Sequence, residues 1–286
     1  MSYYQPMGFR VLPPVVKNLL IINGLFFLAT ISFQTSFGID LTKLLGLHFP
    51  LATDFKPWQF VTYMFMHGGF AHILFNMFAL WMFGYALENI WGGRRFLIYY
   101  MVTGIGAGLV YLIWIWIQMR PDIMAMDKFI STGSIESLNE FTSSHTFRLS
   151  RYSGLIWNEF QQFERNLTLL TINPADTRAL SKSLEFVTIY REFYLNQFVV
   201  VGASGAVFGI LLAFGMMFPN AQIYLYFFIP IRAKYFVILY GAIELFEGVM
   251  NRPGSNIAHF AHLGGMIFGY FLIRYWKKKG EFFELN

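Results

Sequence analysis

The chain contains no cysteine and few charged residues. Of its 286 residues, 13% are Asp, Glu, Lys or Arg, which is about half the share usual in a soluble domain. The absence of cysteine excludes disulfides, thiolate zinc sites and cysteine nucleophiles. The low charge, together with 56% hydrophobic and 20% aromatic residues, excludes a disordered chain and an ordinary cytosolic enzyme. Most of the chain is therefore predicted to lie in lipid.

Six apolar stretches are long enough to cross about 30 Å of hydrocarbon as helices. We place these spans at residues 15–35, 62–86, 95–117, 197–218, 234–250 and 257–275. They predict an all-α polytopic membrane protein built as a six-helix bundle. Residues 1–118 supply the first three spans, and residues 197–286 supply the last three spans and a basic tail.

Lysine and arginine are unevenly divided between the two sides of this predicted bundle. One side carries Arg10, Lys17, Arg94, Arg95, Arg232, Lys234, Arg274, Lys277, Lys278 and Lys279. The short loops on the other side carry only Lys43, Lys56 and Arg252. The positive-inside rule therefore predicts that both termini are cytoplasmic. The net charge of +5 is interpreted as topology and contact with anionic lipid rather than nucleic acid, and a bacterial inner membrane is the expected location.

Residues 119–196 interrupt the apolar pattern with charged residues of both signs. A connection this long usually has structure of its own, so we predict a helical insertion on the extracytoplasmic side. Residues 153–170 have the pattern of an amphipathic helix. Asn173 and Pro174 are typical of the cap and first position of another helix. The insertion is either a solvated appendage or a lid that selects substrates.

Four polar side chains within the predicted spans indicate function, because such side chains are rare in lipid. Ser204 lies on the fourth span and His262 on the sixth. His72 and Asn76 are four residues apart and so share one face of the second span. At 1.5 Å per residue, Ser204 is expected about 10 Å down its helix, with His262 at a similar depth and His72 slightly deeper. A serine, a base and hydrogen-bond donors in one layer are sufficient for acyl transfer.

Each of these positions also has an ordinary structural explanation. A membrane serine commonly bonds back to its own helix, and His or Asn side chains commonly link neighbouring helices. Gly265 and Gly269 form a small-residue face beside His262, which would let the helix that carries Ser204 approach closely. Glu244 and Glu247 on the fifth span are interpreted as partners for polar groups inside the bundle.

A metal site can be imagined from His67, His72, His259 and His262. No HExxH motif or matched carboxylate accompanies these histidines in the sequence, and the residue four positions after His72 is an asparagine, a poor ligand for transition metals. Neither a metal nor another cofactor is therefore expected.

Taken together, three motifs resemble those of the rhomboid family of intramembrane serine proteases. His72-Ile73-Leu74-Phe75-Asn76 is similar to the family's HxxxN, Gly202-Ala203-Ser204-Gly205 to GxSG, and Ala261-His262-Leu263-Gly264-Gly265 to AHxxG. The motifs occur in the family's order, on the second, fourth and sixth spans. The resemblance covers roughly residues 15–118 and 197–276.

The resemblance implies a role for each matched residue. Ser204 would be the nucleophile and His262 the general base, forming a dyad with no third acid. His72, Asn76 and the backbone N–H of Ser204 would bind the oxyanion. The fifth span and the loop that follows it would act as a substrate gate and cap.

Four further residues would support this machinery. Gly202 would let the chain pass close to the nucleophile, and Gly205 completes the same motif. Phe208 would stack on the catalytic imidazole where many members carry tyrosine. His67 matches an outer histidine of the second span with a structural role. One departure is Trp58-Gln59, which stands where many members have Trp-Arg.

The resemblance implies a serine endopeptidase that cleaves membrane-anchored proteins near the outer face of the bilayer. Hydrolysis requires water, so the dyad must lie in a polar cavity shielded from lipid. A catalytically inactive rhomboid-like protein that holds client helices as a chaperone is the alternative, although such proteins typically lack the serine or the histidine. A transporter or channel is disfavoured, because the sequence has few charges in its spans and no evident inverted repeat.

Overall fold

A computed structural model describes residues 10–225, 228–250 and 259–280, and these residues are mainly helical. The helices are α1 Pro14–Phe37, α2 Leu41–Leu45, α3 Gln59–Thr62, α4 Phe70–Trp91, α5 Gly93–Thr132, α6 Ile135–Ser144, α7 Leu155–Ile172, α8 Thr177–Asn196, α9 Ser204–Met217, α10 Ala233–Met250 and α11 His259–Lys278. The strands are β1 Leu47–His48, β2 Val199–Val200, β3 Gln222–Leu225 and β4 Ile229–Arg232. Single 3-10 turns lie at Tyr63–Phe65 and Arg151–Ser153.

The chain divides into two compact units. The bundle unit comprises Met1–Leu47, Lys56–Leu112 and Val199–Asn286, and the insert unit comprises His48–Phe55 and Ile113–Phe198. Helix α5 begins in the first unit and ends in the second. The predicted loop between the fifth and sixth spans, with Arg252 and the proposed cap, lies outside the described residues.

Three helices among the described residues are long and apolar enough to cross a membrane: α1, α4 and α5. Helix α9 is also apolar but has only 14 residues. Three of the predicted spans have wrong helix boundaries. The helix in the predicted fourth span starts at Ser204 rather than 197, the helix in the second runs from Phe70 to Trp91 rather than from 62 to 86, and the helix in the third continues to Thr132 rather than ending at 117.

A buried carboxylate anchors the start of the first helix. The backbone N–H groups of Val15 and Val16 donate to the two carboxylate oxygens of Glu88 at 2.9 and 2.7 Å. The first N–H groups of a helix have no acceptor within the helix, and a negative charge there is favourable. Glu88, which lies near the end of α4, thus joins the two helices and satisfies its own buried charge.

Glycines bring α5, α9 and α11 into unusually close contact. A Cβ at Gly205 would lie 2.3 Å from Cβ of Ala107, and one at Gly209 would lie 2.6 Å from Thr103. A Cβ at Gly265 would lie 1.8 Å from the carbonyl oxygen of Gly205. Small residues allow membrane helices to pack backbone against backbone. Of the small-residue face predicted beside His262, Gly265 therefore packs against α9, whereas Gly269 packs against Tyr99 and Thr103 of α5.

The connection between α9 and α10 contains a β-hairpin, so the all-α prediction is wrong in this segment. Strands β3 and β4 pair antiparallel, with Gln222 opposite Arg232 and Ile223 opposite Ile231. In β3, Ile223 stands between Gln222 and Tyr224, and this alternation suits a strand with one buried side. Ile223 is buried, whereas Tyr224 on the opposite face is exposed.

The insert unit is helical and has an aromatic core. Its helices α6, α7 and α8 surround a cluster of Phe141, Phe147, Phe163, Phe186 and Tyr190. The amphipathic helix predicted at 153–170 corresponds to α7.

The cap predicted for the next helix of the insert is wrong. Asn173 ends α7, and the N-cap of α8 is Asp176, whose carboxylate accepts from the N–H groups of Arg178 and Ala179. Pro174 is therefore in the turn between the two helices rather than at the first helical position.

A network of polar side chains adjoins this aromatic core. The hydroxyl of Tyr194 donates to Asp122 Oδ2 at 2.6 Å, and Asp122 Oδ1 lies 3.1 Å from Nδ1 of His145. His145 Nε2 lies 2.8 Å from the hydroxyl of Tyr190. Burial and the neighbouring Asp122 carboxylate raise the pKa of Tyr190 and Tyr194 well above the usual tyrosine value.

We expect the insert unit to lose stability at alkaline pH. The folded-state pKa of Tyr194 lies above its unfolded value of about 10, so its contribution is fully present below pH 10 and is lost as pH rises beyond it. Tyr194→Phe should destabilise the insert by about 1 to 2 kcal/mol at neutral pH, because a hydrogen bond to a carboxylate is lost. The variant should also lose less of its folding stability than the wild type does as the pH rises above 10. Pulse proteolysis of the insert at pH 8 and at pH 10.5 measures both effects, and equal pH dependence in the two proteins would contradict the prediction.

Candidate active site

Ser204 is the first residue of α9. The chain reaches it through Gly202, whose backbone φ of +124° is rarely adopted by residues other than glycine. The N–H of Gly202 donates to the carbonyl oxygen of Tyr63 at 2.9 Å, which fixes the segment. This turn delays the helix until Ser204, so the serine N–H belongs to the first helical turn, whose N–H groups lack intrahelical acceptors.

The structure brings Ser204 and His262 together. Ser204 Oγ and His262 Nε2 are 2.8 Å apart, a normal hydrogen-bond distance. Ser204 is partly buried, and the His262 side chain is 11% exposed. The two residues belong to α9 and α11, whose close approach is set by Gly205 and Gly265, adjacent to Ser204 and one turn after His262.

The other nitrogen of the His262 ring faces a carboxylate. His262 Nδ1 is 2.9 Å from Oε2 of Glu244, and Nδ1 of His259 is 2.7 Å from the same oxygen. Glu244 lies on α10 and is only 7% exposed. The interpretation of Glu244 as a partner for polar groups inside the bundle therefore holds for both histidines. A carboxylate at Nδ1 differs from the dyad without a third acid that the resemblance implied.

Sequence reasoning did not assign Glu244 or His259 to the site. A signal was present, because His259 and His262 are three residues apart and so share one helix face. A single carboxylate opposite that face can accept from both rings. Which residue of α10 stands opposite depends on how the two helices pack, and spacing within one helix does not supply this.

An aromatic stack supports the face of the His262 ring. The rings of Phe208 and His262 are 4.2 Å apart between centroids and nearly parallel, at 5°. Phe208 also stacks with Tyr240, at 5.3 Å between ring centroids. The stacking predicted for Phe208 is thus present. Together with hydrogen bonds at both ring nitrogens, it restricts the imidazole to one orientation.

His72 lies beside Gly202 and close to Ser204. A Cβ at Gly202 would lie 2.7 Å from His72 Nε2, and 3.6 Å from Ser204 Oγ. The glycine therefore leaves a small space open between an imidazole nitrogen and the serine hydroxyl. On its other side, His72 Nδ1 accepts from the N–H of Gly68 at 3.4 Å, which orients the ring.

Asn76 lies one turn after His72 on α4 and is 7% exposed. Its amide nitrogen has no hydrogen-bond partner among the residues that the structure describes. A buried amide donor without an acceptor is uncommon, and it is suited to an acceptor that arrives with a substrate.

Two other positions discussed in the sequence analysis, His67 and Gln59, are buried. His67 is not on the second span but in the segment before α4; it is buried, and its ring lies edge-on to that of His72 at 5.0 Å. Gln59, the departure from Trp-Arg, is fully buried. Its side chain accepts from the N–H of Lys56 and donates to the carbonyl oxygen of Leu44.

Ligand-type atoms of Glu244, His259 and His262 lie within 4.8 Å of one another. This cluster differs from the four-histidine metal site considered from the sequence. It contains His259 and His262 but not His67 and His72, which contact each other elsewhere in the site. The three atoms are linked by hydrogen bonds of 2.7 and 2.9 Å, which is the arrangement of one carboxylate shared by two imidazoles.

The fold and the site define an integral membrane protein with apolar helices packed around buried polar side chains. The model of the rhomboid domain family matches residues 54–117 and 169–279, more than half of the chain. The protein therefore belongs to the rhomboid family. The two matched segments contain all of the residues of the candidate site, and residues 118–168 of the insert fall between them.

Curated relatives match shorter segments. The Rhomboid protease GluP of Bacillus subtilis (strain 168) is 44% identical over 48 residues, 17% of this chain and 10% of the relative. Rhomboid-like protein 11, chloroplastic, of Arabidopsis thaliana is 32% identical over 90 residues, 31% of this chain and 32% of the relative. The Rhomboid protease GlpG of Salmonella choleraesuis (strain SC-B67) is 32% identical over 73 residues, 25% and 26% of the two chains. The aligned segments thus span from a tenth to about a third of these relatives.

Proposed function

We propose that this protein is an intramembrane serine endopeptidase that cleaves membrane-anchored proteins. The observation that carries the proposal is the 2.8 Å contact between Ser204 Oγ and His262 Nε2. A serine hydroxyl is a weak nucleophile unless a base takes its proton, and an imidazole at this distance can do so. Family membership and the names of the proteases GluP and GlpG support the same activity.

In the proposed reaction, Ser204 Oγ attacks the scissile carbonyl carbon while its proton passes to His262 Nε2. The tetrahedral intermediate collapses when the carbon–nitrogen bond breaks and His262 returns the proton to the leaving amine. A water molecule, deprotonated by the same nitrogen, then attacks the acyl carbon. The bond from that carbon to Ser204 Oγ breaks as His262 returns the proton to Oγ, which releases the second product and restores the enzyme. The acyl-enzyme divides one difficult displacement into two easier ones.

The oxyanion is proposed to bind between His72, Asn76 and the backbone N–H of Ser204. The space next to Gly202, 2.7 Å from His72 Nε2 at the position of a missing Cβ, supports this assignment. The unpartnered amide nitrogen of Asn76 supports it too. The start of α9 adds a helix N-terminus, which favours a developing negative charge.

Six helices are proposed to cross the membrane: α1, α4, α5, α9, α10 and α11. Helix α9 would be only about 21 Å long, shorter than the hydrocarbon core. Most of its side chains are buried in protein. The short helix would therefore be surrounded by other helices and would not need to match the thickness of the lipid. On this arrangement Ser204 lies below the membrane surface, in a cavity open to the outside.

The basic connections and tail support an orientation with both termini in the cytoplasm, and a bacterial inner membrane is the proposed location. The catalytic cavity would then open on the extracytoplasmic side, and the insert would lie on that side. A helix keeps its carbonyl groups in hydrogen bonds, so cleavage requires local unwinding. We therefore propose substrates with a single membrane span that carries small or helix-breaking residues near its outer end.

A serine-directed fluorophosphonate probe tests the proposal directly. Wild-type protein in detergent should be labelled, and peptide mapping should place the label on Ser204. His262→Ala should lose the labelling by at least about 100-fold, because general-base catalysis typically contributes 10²–10⁴-fold. Folded wild-type protein that resists the probe would favour an inactive rhomboid-like protein that binds client helices.

A further inference from the structure

Glu244 is the one charged residue among the described residues that contacts the proposed base directly. Its Oε2 lies 2.9 Å from His262 Nδ1, on the side of the ring opposite Ser204. A carboxylate only accepts hydrogen bonds, so Nδ1 must carry the ring proton. Nε2 then keeps its lone pair and is the nitrogen that accepts from the Ser204 hydroxyl. The contact thus selects the tautomer that the proposed reaction needs.

The burial of Glu244 gives this contact electrostatic weight. The residue is 7% exposed, and an ionised carboxylate is costly to bury unless hydrogen bonds and opposite charge compensate for it. When His262 takes the serine proton, a positive ring faces this carboxylate at hydrogen-bond distance. Charges interact more strongly in a buried site than in water, so Glu244 favours the state that forms as Ser204 attacks.

Two further histidines, His259 and His72, border this network. Nδ1 of His259 shares Oε2 of Glu244 at 2.7 Å, and the ring centroid of His259 is 6.4 Å from that of His262. His72 is near enough to His262 for their charges to interact. Among the described residues that border the His262 ring, only Glu244 can carry a negative charge. The positive ring therefore depends on Glu244 and not on its other neighbours.

We propose that Glu244 is a positioning residue that holds His262 for catalysis, so that the site works as a Ser204–His262–Glu244 triad. This inference rests on the proposed protease function and deepens it. The proton leaves Ser204 Oγ as the bond from Oγ to the carbonyl carbon forms, moves to His262 Nε2, and passes to the leaving nitrogen as the carbon–nitrogen bond breaks. Glu244 stays ionised throughout and exchanges no proton.

Glu244→Gln and Glu244→Asp test this role by separating charge from shape. Glutamine keeps the volume and loses the charge, whereas aspartate keeps the charge and is one methylene shorter. We expect Glu244→Gln to lower kcat between about 10- and 10⁴-fold, with KM unchanged, because Glu244 touches the base and not the substrate. Glu244→Asp should fall between wild type and Glu244→Gln. A role in packing alone would reverse this order, since aspartate leaves a cavity.

Two control variants address the neighbouring residues. Glu247→Gln removes a carboxylate from the same helix, three residues away, and should keep kcat within about twofold of wild type. His259→Leu removes the second hydrogen bond to Glu244 and should lower kcat less than Glu244→Gln does. If Glu244 served only to tie α10 to α11, His259→Leu and Glu244→Gln would lose similar activity.

The readouts are kcat and KM for a membrane-anchored model substrate, the rate of labelling by the serine-directed probe, and thermal unfolding of each variant. An active wild type with Glu244→Gln equally active would overturn the triad and leave the protease function standing. A wild type that neither cleaves nor labels would overturn the protease function and the triad with it. Glu244→Asp less active than Glu244→Gln would also overturn the proposed role of the charge.

Discussion

Replacing Ser204 with alanine is expected to reduce cleavage of a membrane-anchored substrate by about 10⁴-fold or more. The variant has no Oγ to form the acyl-enzyme, and His262 Nε2 loses the group that it faces at 2.8 Å. Any residual rate would come from the oxyanion donors and from water. The fold should survive, because one hydrogen bond of about 1 kcal/mol is removed.

Ser183→Ala is the matched control for this loss. Ser183 is fully buried, and its hydroxyl donates to the carbonyl oxygen of Ala179 one turn earlier in α8. It therefore has the ordinary helix-backbonding role that was the structural alternative for Ser204. Ser183→Ala should cleave at the wild-type rate.

The double variant Ser204→Ala/His262→Ala sharpens the prediction. Two residues that act as a unit lose function together, so removing both should cost no more than removing one. Cleavage in proteoliposomes, followed by the appearance of the product fragment, is measured for wild type, Ser204→Ala, His262→Ala, the double variant and the Ser183→Ala control. Near wild-type cleavage by Ser204→Ala, or multiplicative losses in the double variant, would contradict the proposed unit.

The meeting of Ser204 with His262 was predictable from the sequence, and the reason is steric. Gly265 and Gly269 recur at a four-residue spacing beside the histidine, and such a face permits close approach of another helix. The small residues next to Ser204 provide the complementary surface. Spacing of this kind survives in a one-dimensional sequence because each half of the contact is local to one helix.

The depth of Ser204 in its helix was not predictable from hydropathy. The apolar run continues through Phe198, Val199 and Val200 without a break, so the span was expected to begin at 197. In the structure, Val199 and Val200 form a short strand and the positive φ of Gly202 turns the chain before α9 begins. Hydropathy reports where lipid or protein surrounds the chain, and it does not distinguish a buried strand from a buried helix turn.

The role of Glu244 shows a second limit. Its helix face could be read from the sequence, and a buried partner was expected. Which of the polar side chains it meets depends on the rotation of α10 against α11, which many side-chain contacts determine together. A similar limit applies to the cap of α8, where Asn173 and Asp176 are both good cap residues and only the path of the chain decides between them.

Gly265→Ala is expected to have the largest effect on stability. Its Cβ would lie 1.8 Å from the carbonyl oxygen of Gly205, a backbone atom that cannot rotate away. The helices α9 and α11 would have to separate, at a cost of about 3 kcal/mol or more. Because Gly205 follows Ser204 directly and Gly265 lies one turn after His262, the same shift would lengthen the contact between hydroxyl and imidazole. A displacement of about 1 Å can reduce the rate about 100-fold.

Gly24→Ala supplies the control for Gly265→Ala. Among the described residues, no atom from outside the adjoining turns of α1 lies within 4 Å of a Cβ at Gly24. There, alanine should leave activity unchanged and stabilise the helix slightly, since it costs less backbone entropy than glycine. Thermal unfolding and the rate of probe labelling, measured on both variants in the same detergent, separate the two outcomes. Gly265→Ala with the melting temperature and labelling rate of the wild type would show that α9 and α11 can separate without disturbing Ser204 and His262, and close glycine packing would then not be what holds the site together.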